Sequence, residues 1–375
     1  MAIDHIREPW KGTMTPRERF NRQMHFQSVD RSFNMEFGYW DENYTEWRMF
    51  ADNGITNEWE ANLFFNFDPI HSIGGRISLL PAFEDKEIGR TPDGKRILQN
   101  GDGLIAEQPD DGHSTIPHYI KSQIVTPDDW KKVKAERMNV DDPGRKVDIG
   151  AIKARHMPDE GRDYPLGVYC GSMIGRIRDM LTFEGLCYAV CDYPEMVEDM
   201  VETHCQLVEH FLDQVLPHFK FDYASGWEDI CFKNGPIVPP NFFRDVLTPR
   251  YRRIRDRLER HGIDLWYTDC DGDVRPILKH LMDGGINCLF PYEVNSCAHP
   301  GELLDQYPEL RIMGGVDKIE MAKGPKAIDA YLASLIPYVE RGGYIPFCDH
   351  RCPPNVTEED YLYYLDRKEE LFGMK

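Results

Sequence analysis

From Tyr164 onward the sequence alternates between short apolar runs and longer amphipathic stretches, and this rhythm restricts the fold more than any other feature. The runs 165–170, 221–227, 263–267, 310–314 and 344–347, with one ending at Pro291-Tyr292, read as strands. Segments 176–189, 192–217, 240–261, 299–307, 326–341 and about 357–371, with one closed by Gly284-Gly285, read as helices. Repeated strand–helix pairs with short loops predict a parallel sheet. Their number, and the polar residues after nearly every strand, predict a closed (β/α)8 TIM barrel in the α/β class. An open doubly wound sheet is the rival, and no GxGxxG dinucleotide turn supports it.

The N-terminal half is less regular. Thr15 and Pro16 open a short helix over 15–27. The run 34–40 (NMEFGYW) reads as a buried strand, and 42–53 as helix ending at Asn53-Gly54. From 75 to about 107, Pro92-Asp93-Gly94 and Asn100-Gly101-Asp102-Gly103 separate β-type runs, so a β-ribbon is inserted there. A polar connection over 126–163 follows. At 375 residues two average domains would also fit, but without a repeat or low-complexity tract a single domain over 1–375 is expected.

Lys and Arg number 44 against 64 Asp and Glu, a net charge of −20. Such a surface repels nucleic acid and anionic membranes, so neither is an expected partner. No apolar run approaches the roughly 20 residues of a membrane span, and the first residues have no signal-peptide core. A cytoplasmic enzyme is expected, with its ten scattered cysteines as buried thiols.

Barrel enzymes build their sites at the C-terminal ends of the strands. Those ends here carry Glu36 and Asp41, Glu228 and Asp229, Asp269 and Asp271, Glu293, Asp317, and Asp349 with His350. Alternation points Asp269 and Asp271 one way and Cys270 the other. Each acid alone reads as a helix cap or a solvated loop charge. Together they are costly unless something positive sits among them, a metal ion or a cationic group. Lys233 follows Glu228-Asp229 and is either in that pocket or a flanking turn residue. Trp40, Trp227, Phe232 and Tyr292 suit a flat or apolar substrate body, or ordinary packing.

Several blocks resemble the uroporphyrinogen decarboxylase superfamily: TPRERFNRQMHFQSVDR, FGYWDENYTEW, WEDICFKNGP, DCDGDVRPILKHLMDGGIN, FPYE, MGGVDK and GGYIPFCDHRCPPNVTEEDY. The haem-pathway branch has an arginine-rich N-terminal segment where this chain has Glu36, Asp41 and Glu42, which would repel an acidic tetrapyrrole. The corrinoid-linked methyltransferase branch is the nearer resemblance. It binds zinc through a His-x-Cys pair, a Glu and a later Cys. Matched motif by motif, Asp269 stands at the His, Asp271 at the first Cys, Glu293 at the Glu and His350 at the later Cys. Oxygen-rich ligands in place of thiolates would favour a harder cation or an oxygen substrate.

The resemblance thus implies a methyltransferase with a divalent metal, zinc first, held by Asp269, Asp271, Glu293 and His350. A methyl group would pass between a small substrate, methoxylated compounds included, and a corrinoid on a partner carrier protein. Glu228, Asp229 and Asp349 are the expected catalytic residues, the first two as proton carriers. Glu36, Trp40, Asp41, Trp227, Lys233 and Tyr292 are the expected substrate contacts. The alternative is a metal-free decarboxylase of a small or aromatic acid. A homodimer is left open.

Overall fold

The computed structural model describes residues 4–110 and 118–373. Its first strand is β1 (His71–Ile73). Four more strands follow away from it: β2 (Lys86–Arg90), β3 (Arg96–Gln99), β4 (Ile105–Gln108) and β5 (His118–Lys121). Then come β6 (Leu166–Tyr169), β7 (Tyr223–Trp227), the two-residue strands β8 (Cys231–Phe232) and β9 (Gly235–Pro236), and β10 (Trp266–Asp269). The last are β11 (Cys288–Tyr292), β12 (Arg311–Val316) and β13 (Tyr344–Cys348).

Seven of these pair side by side, all parallel, in the order β1-β6-β7-β10-β11-β12-β13. Helices Pro194–Val215, Thr248–Arg260, Arg275–Gly284, Pro325–Arg341 and Glu358–Phe372 alternate with them. The strands are buried almost throughout, β13 at every position, as expected when both faces of a parallel sheet are covered. Local signals act where the sequence places them. Thr15 accepts from the Glu18 N–H to start the helix Pro16–Met24, and Gly285, at φ 106°, ends Arg275–Gly284 in the left-handed region. No helix among the described residues is long and apolar enough to cross a membrane.

Two groups of apolar side chains form. The larger lies between helices and sheet. The smaller gathers Tyr223, Leu265, Cys288, Met313, Ile345 and Phe347 from successive strand regions with Phe20, Met24, Phe33 and Met35. The first helix touches both ends of this run of strands: Phe20 lies 5.5 Å from the Tyr223 ring of β7, and Gln23 Nε2 donates to the Tyr344 carbonyl of β13 at 2.6 Å. The helix Pro16–Met24 supplies Phe20 and Met24 to this inner group.

Three expectations need correction, and the first is the helix over 42–53, which breaks at Trp47 into Asp41–Glu46 and Arg48–Ala51. Residues 34–40 are buried, apart from half-buried Phe37 and exposed Trp40, yet form no strand. Among the described residues their one ladder contact is a parallel bridge, Tyr39 to Cys352. Side chains take the bonds instead: Glu36 accepts from the Cys348 N–H (3.1 Å) and Asp68 from the Asn34 N–H (2.8 Å). Gly38, at φ 127°, then breaks the extended run. The helix expected over 176–189 is also interrupted, at Thr182 (φ 72°), giving Gly175–Leu181 and Phe183–Asp192.

The inserted ribbon is a four-stranded antiparallel sheet, β2-β3-β4-β5, and its last strand lies beyond the expected boundary. The Asn100–Gly103 turn is tied to the helix after β6, where both Arg176 Nη atoms engage the Asp102 carboxylate. Replacing Asp102 with Ala is expected to speed amide exchange over 96–108 while costing about 1 kcal/mol or less of global stability. Exchange unchanged over that segment would show that the ion pair does not anchor the sheet.

Candidate active site

Strand β10 ends at Asp269, in register with Trp227 of β7, and the chain turns at Gly272 (φ 87°). A Cβ there would lie 2.5 Å from the Cys231 carbonyl carbon, so the loop packs directly on the β8 backbone. Cys270 turns into the core, while Asp269 and Asp271 remain partly exposed at the mouth. The Asp269 carboxyl is pushed up to about 8, first by burial, then by the charges of Asp271 and Asp229. It therefore keeps its proton near neutrality.

Asp271 faces His350, with Oδ2 3.4 Å from Nε2. Its other oxygen, Oδ1, is buried and has no hydrogen-bond partner among the described residues. Burial works to lower the His350 pKa, but the Asp271 bond and charge overcome it and raise the value. Next along the sheet, Glu293 follows β11. Its Oε1 accepts from Lys318 Nζ at 2.8 Å and its Oε2 from Ser296 Oγ at 2.7 Å. Burial works against that carboxylate, yet Lys318 and Ser296 hold its pKa below the ordinary value.

Asp349, after β13, is completely buried and accepts from the Val294 (3.1 Å) and Lys318 (3.2 Å) backbone N–H groups. Lys318 Nζ lies 3.5 Å away. Burial lifts the Asp349 carboxyl to about 6, with Lys318 opposing the rise.

Asp271, Glu293 and Asp229 share the wall of a cavity of about 680 Å³, within the roughly 300–1,000 Å³ typical of small-molecule sites. Part of its lining is apolar. Phe183 and Phe232 meet edge to face with ring centroids 5.1 Å apart, and the ribbon adds Leu104 and Tyr119. Arg178 and Lys233 also line it, and Arg178 Nη1 lies 3.4 Å from Asp229 Oδ2.

Of the expected residues, Asp229, Asp271, Glu293 and Lys233 line the cavity, with Asp269 and His350 beside its wall. Others lie elsewhere, several of them drawn into the interior. Glu228 is an internal anchor. It accepts from Ser172 Oγ (2.9 Å), the Met173, Ile174 and Gly175 N–H groups (2.9, 2.8 and 3.1 Å) and Tyr251 OH (2.6 Å). A carboxylate so fully engaged holds the start of the helix Gly175–Leu181 and is badly placed to shuttle protons. Glu36 is buried against Lys368 (2.6 Å) and Tyr364 (2.8 Å). Tyr292 turns inward to donate to the Ala298 carbonyl (2.9 Å). Trp227 donates to Tyr169 OH, while Trp40 and Asp41 face solvent. Asp349 lies beneath Lys318.

The expected metal set is brought together only in part. Asp271, Glu293 and His350 come to one mouth, but no group of three or more His, Cys, Asp or Glu side chains among the described residues is arranged to hold a metal ion. Glu293 has both oxygens engaged, and His350 and Asp271 face each other. Zinc does not fit these side chains as they are placed. The residues that sequence reasoning missed are Lys318, Arg178, Ser296 and the apolar wall apart from Phe232. Lys318 had a visible signal, since Asp317-Lys318 closes a strand in MGGVDK, but only the sheet order shows which acids it reaches.

Among solved structures, a methyltransferase from Methanosarcina mazei is similar to this chain, with a TM-score of 0.57 over 96% of this chain and 100% of that one, at 13% identity. At that identity the likeness is one of fold. No protein-family profile and no curated protein matches the chain.

Proposed function

We propose that the chain is a methyltransferase whose active site is the mouth between β10, β11 and β13. A strand set closing as a (β/α)8 barrel would make this its C-terminal face. The observation that carries the reading is a small-molecule cavity lined by both acidic and aromatic side chains, beside whose wall Asp269 retains its proton near neutral pH. The fold likeness to a methyltransferase supports methyl transfer over other uses of such an acid.

The substrate's apolar part rests on Phe183, Phe232 and Tyr119, and its methylated heteroatom faces the acids. When the carbon–heteroatom bond breaks, the electron pair stays on the heteroatom, and Asp269 supplies the proton that neutralises it. Asp271, paired with His350, keeps the charge around that proton fixed. A corrinoid on a partner protein, if present, would supply the nucleophile that accepts the methyl group. Metal is given no step.

The decarboxylase reading keeps one specific support. Arg178 and Lys233 offer a carboxylate a place on the cavity wall, and the same Asp269 could protonate a carbanion. Incubation with reduced cobalamin and a panel of methoxylated aromatics, methylamines and methanol separates the two. Spectral conversion to methylcobalamin is expected with at least one donor. Carbon dioxide release from aromatic carboxylates, with no methylcobalamin from any donor, would replace methyl transfer with decarboxylation.

A further inference from the structure

The place where acidic strand ends call for a cation is already filled by a side chain. Strand β12 lies between β11 and β13 in the sheet, and Lys318 stands two residues beyond its end. From this middle position its ammonium reaches sideways to an acid on either flank, Glu293 at 2.8 Å and Asp349 at 3.5 Å. All three side chains are largely withdrawn from solvent, with relative exposures of 21%, 20% and 0%. Two carboxylates held this close in a poorly solvated place repel one another strongly unless a positive charge lies between them.

We propose that Lys318 is the resident cation of this site, taking electrostatically the place of a divalent metal. Neutralising Lys318 would then open a metal site between Glu293 and Asp349. The acids are positioned independently of the ammonium. Ser296 Oγ orients Glu293 (2.7 Å), and the Val294 and Lys318 backbone N–H groups hold Asp349 (3.1 and 3.2 Å). Truncating the lysine therefore leaves two oriented oxygen ligands and an empty space, while His350 remains nearby. Carboxylate oxygens, with water completing the shell, suit a hard ion such as manganese. The inference concerns charge balance and stands apart from the proposed reaction. A chain that transfers no methyl group can still show it, and a working methyltransferase can still lack it.

Manganese(II) titration of the full chain, read by calorimetry and electron paramagnetic resonance, tests this. Lys318→Ala is expected to bind one equivalent at least about tenfold more tightly than the wild-type chain. Adding Glu293→Gln should abolish the gain, and Lys318→Arg should show none. Lys318→Met provides a second neutral variant. If the neutral variants are unfolded alone, manganese present during refolding should restore their circular dichroism. Wild-type protein that binds one manganese as tightly as Lys318→Ala would overturn the proposal. So would folded neutral variants without a gain, or unfolded ones that manganese fails to rescue.

Discussion

Asp269→Asn is expected to lower turnover by about 10²- to 10⁴-fold, the range typical of losing a general acid, with KM little changed. Asparagine matches the shape of a protonated aspartic acid and is likewise neutral. The field felt by a bound substrate therefore stays nearly the same, and what disappears is the transferable proton. Steady-state kinetics on whichever donor yields methylcobalamin provides the measurement. A variant that keeps the wild-type kcat would remove Asp269 from the chemistry.

The pH profile supplies an independent check on the same residue. Asp269 is pushed up to about 8, and its protonated form is the active one, so wild-type activity should fall as pH rises through about 8. Asp349 is lifted to about 6. Below that value it takes up a proton and weakens its pairing with Lys318, so activity should rise with pH through about 6. The result is a bell between the two limbs. Asp269→Asn should flatten the alkaline limb and leave the acidic one in place. An alkaline limb that survives the substitution belongs to another group.

Much of this site was legible in the sequence because strand–helix alternation determines which residues come to the strand ends. Asp269, Asp271, Glu293 and His350 were found that way, and Cys270 faces away from the acids as period-two alternation requires. Alternation does not say whether a strand-end side chain points to the mouth or back into the core. Glu228 and Glu36 occupy comparable sequence positions, yet each is drawn inward by donors far along the chain: Tyr251 for one, Lys368 and Tyr364 for the other. Lys318 was hidden for the opposite reason. Its partners lie on the two neighbouring strands, and only the lateral order β11-β12-β13 makes them neighbours. The segment 34–40 misled because its apolar residues are buried as a strand's would be, while side chains rather than backbone groups carry most of its bonds.

Glu36→Ala should cost about 3–5 kcal/mol of unfolding free energy, the penalty for leaving one member of a buried ion pair without its partner. Lys368 Nζ lies 2.6 Å from Glu36, both side chains are at most 2% exposed, and the ammonium's other hydrogen-bond acceptor is the Met35 carbonyl at 2.9 Å. Burial already lowers the Lys368 pKa against the pull of Glu36, so losing the carboxylate leaves a charge that the interior tolerates poorly. The double variant Glu36→Gln with Lys368→Met removes both charges and keeps one oxygen to receive the Cys348 N–H, while the new amide NH2 can donate to the Tyr364 hydroxyl oxygen. It should lose less than Glu36→Ala alone, and urea unfolding of the single and double variants measures the difference. Simple additivity, or a single-variant loss below about 1 kcal/mol, would show that the pair is not coupled. The consequence reaches the site through one bond. Glu36 receives the Cys348 N–H at 3.1 Å, immediately before Asp349 and His350, so loosening this pair should also loosen the strand end on which both of those groups are mounted.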